Sequence, residues 1–329
     1  TLIGGQAGAN LTNENSNVFV GFNSGQFNTT GAQNTFLGTR AGQGITGTKL
    51  TGNNNVAVGF QAGKVLQGTA TLNTFVGVDA GVAVTTAIDN TFVGGLCGDG
   101  TDDGNENVAV GKSALSGNCG DSNTAVGKDA GEVITGSNNT VVGKSAGKAI
   151  TSGSNNLFVG RDAGLTGSPG GNWTTQSNVL VLGDENITNA YIQVDWTVSS
   201  DERDKTNFAD LDLGLDFVKA LEPVTYYWDK RSNYGDKTAE DYDLEAQTPD
   251  GTHKEDWMDI GFKAQSVQAL EEAAGYKAED KKNLTVNHGA EGKQLGLQYS
   301  KFVPILVKAI QEQDAIIQSL TARIAALES

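Results

Sequence analysis

Along the first half of the chain a short apolar run closes on a glycine, again and again. The glycines are Gly4, Gly21, Gly38, Gly59, Gly77, Gly94, Gly111, Gly127, Gly143 and Gly160, and a degenerate eleventh copy, "NVLVLG", ends at Gly183. Among the first ten, most steps are 16 to 18 residues and one is 21. The consensus is N-[TV]-[FAV]-[VL]-G-x-x-A-G, as in "NTFVGVDAG" over 73–81. A repeat this short has no room for a helical hairpin. It suits two short strands and two turns, one coil of a β-solenoid, which buries a core only when neighbouring coils stack on it.

Each repeat position has its own physical reading. Three β-branched, aromatic or small apolar residues in a row predict a strand buried on both faces. The asparagine four before the glycine recurs as Asn34, Asn55, Asn73, Asn90, Asn107, Asn123, Asn139 and Asn156. Stacked asparagines can form amide ladders from rung to rung. The slot three after the glycine is mostly alanine, with Ser24 and Cys97 as variants, so another backbone lies close there. The glycine after that slot permits a positive φ at the corner. Cys97 then reads as a small buried hydrophobe. Cys119 lies in a turn and carries no assigned role.

After about residue 207 the pattern changes. "FADLDLGLDFVKALEP" predicts an amphipathic helix capped by Asp210 or Asp212, with Leu213, Phe217 and Leu221 on one face and Pro223 past its end. "VTYYWD" predicts a strand, residues 230–257 a long polar loop, and "DIGFKAQSVQALEEAAG" a strand running into a second helix. From "YSKFVP" onward one long helix follows, with Pro304 in its first turn. It carries a heptad of Leu306, Ile310, Gln313, Ile317, Leu320, Ile324 and Leu327. Such a seam predicts a coiled coil in which buried Gln313 sets register. The competing reading is an amphipathic helix that packs on its own domain.

Composition narrows the function. The net charge of −16 argues against a nucleic-acid partner. Of 44 glycines, 36 precede residue 200, so the excess belongs to the repeats. No run approaches the ~18 apolar residues of a membrane span, and membrane insertion is not expected. Two cysteines are too few for a disulfide framework and fit folding in a reducing environment. The chain opens inside a repeat, which predicts a preceding part with an anchoring domain. In the insert "CGDGTDDGNEN", Asp99, Thr101, Asp103 and Gly104 follow the start of a calcium loop. Val110 stands where its last glutamate belongs, so a solvated corner is expected and no metal is assigned. No cofactor is expected either.

Between the two halves lies "TVSSDERDKTNF", residues 197–208. Read alone, it is a polar linker that ends in a helix cap. The repeats resemble the β-roll head of trimeric autotransporter adhesins and the glycine- and asparagine-rich shafts of phage tail fibres. A monomeric solenoid is the alternative. The ordered blocks "SDERDK", "TYYW", "GFKAQSVQAL" and "LQYSKFVPILVKAIQEQ" resemble the C-terminal intramolecular chaperone of phage endosialidases and other tail fibres. That family's opening motif is similar to Ser-Asp-x-Arg-x-Lys, matched by Ser200, Asp201, Arg203 and Lys205.

The resemblance implies a domain that trimerises the fibre ahead of it and then cuts itself off between Ser199 and Ser200. Ser200 is the implied nucleophile and Lys205 its base, with Asp201 and Arg203 supporting the motif. This is a serine–lysine autoprotease acting once in cis, not a turnover enzyme. A serine hydroxyl needs such a base. A lysine serves only if burial or nearby positive charge brings its pKa down from about 10.4. Arg203 could contribute that charge, whereas Glu202 and Asp204 work against it. Residues five apart point to opposite sides of a straight strand, so a turn or a trimer contact must join them.

The expected architecture is therefore a repetitive, trimeric β-solenoid shaft over 1–185 and a junction over 186–199. An α+β chaperone over 200–302 and a coiled-coil helix over 303–329 follow. The expected role is the distal part of a virion tail fibre or spike, assembled in the host cytoplasm, with the chaperone part released after cutting. Its expected partners are two further copies of the chain, other tail proteins through the preceding part, and a host surface receptor, glycan or protein. The alternatives are a glycan-degrading or glycan-binding tailspike, for which no credible carboxylate pair is visible, and a cellular trimeric adhesin. A self-cleaving transcription-factor precursor would need a basic region or membrane segment that the sequence does not show.

Overall fold

The computed structural model describes residues 1–329 except 13–15, 238, 240, 283, 291 and 329. The chain forms two compact units, Thr1–Ile187 and Thr188–Ser329.

The first unit is a β-solenoid. Eleven strands, β1 to β11, run from Leu2–Ile3 to Leu180–Leu182 and pair in parallel, each with the next coil. Register is kept throughout: Phe75 lies beside Phe92, Phe92 beside Ala109 and Ala109 beside Ala125. Each coil has one named strand, not the expected two. On the other side the coils are joined by isolated bridges such as Leu50 to Gly68 and by single bonds such as Gly81 N–H to Cys97 O at 2.9 Å.

The strands are buried on one face only, which corrects the expectation of two. The central residue points inward and is fully buried, as at Phe19, Phe36, Phe75, Phe92 and Phe158. Neighbouring rings stack, Phe19 on Phe36 at 4.9 Å and Phe75 on Phe92 at 5.4 Å. The flanking positions point outward because side chains alternate across a strand. The last of them forms an unbroken column of Val, Leu and Ile that includes Leu37, Val110, Val126, Val142, Val159 and Leu182, each more than a third exposed.

The small slot and the amide ladder are formed as the repeats imply. Ala62, Ala80, Cys97, Ala114, Ala130 and Ala146 are fully buried. Asn73 Nδ2 donates to Asn55 Oδ1 at 3.0 Å, and Asn55 Nδ2 to Asn34 Oδ1 at 3.0 Å. The glycine that closes each apolar run has a further reason. Gly77 has φ +142°, and a Cβ there would lie 2.3 Å from the carbonyl oxygen of Gly94 in the next coil. Only glycine fits both the dihedral and the approach.

In the second unit, helix α1 (Leu215–Ala220) is followed by the antiparallel pair β12 (Val224–Tyr227) and β13 (Met258–Gly261). Helix α2 (Ala264–Ala273), a second antiparallel pair of β14 (Val286–His288) and β15 (Leu295–Leu297), and helix α3 (Phe302–Glu328) complete it. Between β12 and β13 the described residues hold only a short 3₁₀ turn at Arg231–Asn233; positions 238 and 240 of the expected loop lie outside the described residues. Position 329, the expected end of the coiled-coil helix, also lies outside them.

A small core of Leu213, Phe217, Val267, Val286, Phe302 and Ile305 holds the unit together. The first helix is shorter than predicted, and neither Asp210 nor Asp212 caps it. Gly214 stands at its N-cap, and the Leu215 N–H is taken by the Glu312 carboxylate at 2.7 Å. The Asp212 carboxylate instead accepts the Tyr276 hydroxyl, which pushes the tyrosine pKa up. Glu271, fully buried, accepts the Thr285 N–H at 2.6 Å and its hydroxyl at 2.5 Å, pinning α2 to the start of β14. No helix among the described residues is long and apolar enough to cross a membrane.

Candidate functional site

The site grows from one aspartate. Asp201 has extended backbone, φ −63° and ψ 132°, and its Oδ1 accepts the Arg203 N–H at 2.9 Å. This is how a short acidic side chain starts a helical turn. Residues Glu202–Asp204 then form one turn of 3₁₀ helix, closed by the Lys205 N–H on Glu202 O at 3.1 Å. The turn folds the five-residue interval back on itself. Lys205 Nζ donates to Ser200 Oγ at 2.5 Å and to Ser200 O at 3.2 Å. The two residues therefore meet within a single chain, through the turn and with no second chain.

Arg203 does not face the amine. Its guanidinium grips Asp201, Nε to Oδ1 at 3.0 Å and Nη2 to Oδ2 at 2.6 Å. This contact holds the Asp201 carboxyl below the usual carboxylate range and raises Arg203 in turn. The arginine charge is matched by its own aspartate, so Arg203 stabilises the turn and is poorly placed to disfavour a lysine ammonium. Among the described residues Lys205 forms no ion pair with Glu202 or Asp204. All residues from Ser199 to Lys205 are exposed. The turn is uncovered in the single chain.

The heptad residues share one face of α3, and that face is bare. Leu306, Ile310, Ile317, Leu320, Ile324 and Leu327 are 44 to 87% exposed, and Gln313 is exposed with them rather than buried. The helix packs on its own unit through a different face, with Phe302, Ile305 and Ala309 buried. Self-packing thus accounts for the first turns of α3 and leaves the heptad untouched.

The calcium pattern is not assembled. Thr101 is buried, with its hydroxyl 3.2 Å from Cys119 Sγ, and Asp103 is exposed. No group of three His, Cys, Asp or Glu residues comes together among the described residues. Burial pushes the Cys97 thiol up to about 12, as expected for an inert buried cysteine. Two carboxylates that hold the unit together, Glu271 and Glu312, leave no signal in the sequence. Both sit in ordinary helical sequence, and only the fold brings their partners to them.

Against known proteins, a family model described as chaperone of endosialidase matches residues 200–276. The match begins at the serine of the Ser200–Lys205 turn. No curated protein and no solved structure matches the chain. A chaperone-of-endosialidase segment behind a β-solenoid fits a phage tail fibre with a C-terminal chaperone domain.

Proposed function

We propose that this chain is the distal part of a viral tail fibre or spike that works as a homotrimer. Its C-terminal unit aligns and folds three chains and then separates from the shaft by cutting between Ser199 and Ser200. The observation that carries the reading is the 2.5 Å contact of Lys205 Nζ with Ser200 Oγ at the first residue of the chaperone segment.

The chemistry is an acyl shift followed by hydrolysis. Lys205, once neutral, takes the Ser200 hydroxyl proton, and Oγ attacks the Ser199 carbonyl carbon. The bond from that carbon to the Ser200 nitrogen breaks, the nitrogen gains the proton, and an ester joins Ser199 to Ser200 Oγ. Water hydrolyses the ester, leaving a carboxylate at Ser199 and a free amine and hydroxyl on Ser200. Assembly supplies what one chain lacks. Neighbouring chains that cover the exposed turn would desolvate the amine and favour its neutral form.

Two surfaces support the trimer. The bare heptad of α3 is one. The other is the outward Val/Leu/Ile column of the solenoid, an apolar stripe that water disfavours. Parallel β-coils fold slowly and expose sticky edges. A C-terminal trimer raises the local concentration of the three strands-to-be, and its removal leaves a shaft that is kinetically trapped. The finished shaft presents its outer surface to a host receptor, glycan or protein.

The test is a denaturing gel with intact mass of the purified chain. Wild type is expected as fragments 1–199 and 200–329, and Ser200→Ala as one uncut chain that still sediments as a trimer. Normal cutting by Ser200→Ala would remove Ser200 as nucleophile.

A further inference from the structure

The residue just after the marker glycine holds one register position along the whole shaft. After strands β2 to β6 it is Phe22, Thr39, Phe60, Val78 and Gly95. After β7 to β10 it is Lys112, Lys128, Lys144 and Arg161, all exposed. The backbone fixes their stacking. Lys112 O accepts the Asp129 N–H at 2.9 Å, Lys128 O the Ser145 N–H at 2.8 Å and Lys144 O the Asp162 N–H at 2.9 Å. Paired strands lie about 4.8 Å apart, so the four bases form a row roughly 14 Å long, parallel to the axis. Like charges at that spacing repel, and the earlier coils accept an aromatic, a small or an apolar residue in the same slot. The fold therefore does not require the bases.

Local acids offset only part of the row. Lys128 pairs with Asp129 at 2.8 Å and Arg161 with Asp162 at 2.9 Å, while Lys112 and Lys144 are in no ion pair among the described residues. The bases act together. The Asp129 carboxyl is held below the usual carboxylate range first by the Lys128 hydrogen bond, and the charges of Lys148 and Lys112 from the adjoining coils add to it. Packing of three chains through the outward Val/Leu/Ile column would not pair them either. The other flank of that column, two residues before each strand, carries Ser122, Asn138 and Asn155 in the coils of Lys128, Lys144 and Arg161, and an acid, Glu106, only in the coil of Lys112.

We infer that this row binds a linear acidic polysaccharide laid along the shaft. The inference deepens the receptor reading proposed above and rests on it. Single charges in line along one axis match a polymer with an anionic group on each sugar, which meets successive coils in turn. A nucleic-acid strand carries a charge every ~3.4 Å, out of step with the coils, and a chain of net charge −16 repels it. An anionic membrane surface calls for bases spread over a plane, and these lie in a line. Further along the same column Phe22 and Phe60 are 53 and 46% exposed, apolar contacts for the uncharged faces of sugar rings.

The test is binding of the full Ser200→Ala chain to immobilised polygalacturonate, dextran sulfate, neutral dextran and single-stranded DNA, with sedimentation of the same sample. Binding to an acidic polymer is expected and should weaken with salt; the stronger of the two tells a carboxylate polymer from a sulfated one. Lys112→Gln with Lys144→Gln should bind roughly tenfold more weakly, the scale of two exposed ion pairs lost, with unchanged thermal unfolding. Lys49→Gln with Lys64→Gln removes the same charge away from the row and should bind as the parent does. Equal losses in the two double variants, equal binding to neutral dextran, preference for DNA, or no binding to either acidic polymer overturns the inference and leaves the fibre reading standing. A monomer by sedimentation sinks the trimer instead. The row lies within one chain, so a loss confined to Lys112 and Lys144 supports the inference even then.

Discussion

Glu312, on the long C-terminal helix, accepts the backbone N–H of Leu215 at 2.7 Å, across 97 residues of sequence. It is the cap of α1, a helix that begins ten residues after Lys205. The same helix that carries the bare heptad thus holds the first element behind the Ser200–Lys205 turn. Glu312→Ala should leave that N–H without its partner and destabilise the C-terminal unit by about 1–2 kcal/mol. Glu312→Gln should restore most of it, because the amide oxygen still accepts. Thermal unfolding of the uncut Ser200→Ala chain in both backgrounds checks this, and equal stability of Glu312→Ala and wild type would contradict it.

Replacing Ile317, Leu320 and Ile324 with serine should dissociate the trimer and slow cutting, although the three residues lie more than a hundred positions from Ser200. Each buried Ile or Leu is worth about 1.5–3 kcal/mol, and the loss repeats in every chain. The Ser200–Lys205 turn forms within one chain, so it should survive. What the mutant loses is the cover that desolvates the amine. A cutting time course with sedimentation decides: a proven monomer that cuts at the wild-type rate ends the trimer-gated mechanism.

In the solenoid, Asn90 donates to Gly104 O at 2.8 Å and accepts the Asn107 N–H at 2.9 Å, fully buried. Asn90→Asp keeps the acceptor and loses the donor, placing a carboxylate opposite a carbonyl oxygen. Destabilisation of several kcal/mol is expected at neutral pH, relieved in acid as the carboxylate gains a proton. Denaturant unfolding at two pH values measures it. A neutral effect would mean that the ladder is ornamental to stability.

Cys97 should be silent to thiol reagents in the folded chain at pH 8 and react fully after denaturation. Its thiol is pushed up to about 12, chiefly by burial, and the Cys119 thiol is raised for the same reason. The linkage sign follows. Below about pH 9 the thiol is neutral in both states, and its contribution is intact. As pH rises from about 9 towards 12 the unfolded thiol ionises first, so stability falls. Cys97→Ala should flatten that part of the profile in a pH series of unfolding midpoints.

Much of the shaft could be read directly. The glycine spacing, the asparagine column and the alanine slot each reflect a contact between identical positions one coil apart, so a local motif repeated in sequence is also a contact repeated in space. Asn73 stacks on Asn55 because the period places it there. The direction of the flanking valines was not legible, because a three-residue apolar run looks the same whether one face or both are buried. Only the closed coil shows that Val126 and Val142 point outward.

In the C-terminal unit the family resemblance picked out the Ser200–Lys205 pair, while the sequence by itself determined the heptad and the order of elements apart from the β14–β15 pair, which it did not predict. These are matters of local period and residue type. The tertiary structure decided what meets what. It folded Lys205 back onto Ser200 through a turn that Asp201 nucleates, and it matched Arg203 to Asp201 instead of to the lysine. It moved the cap of α1 from Asp212 to Glu312 and left the heptad in water. Side-chain hydrogen bonds and ion pairs depend on where atoms from distant segments arrive to within a few tenths of an ångström. That is set by packing of the whole unit, and no short window of sequence contains it.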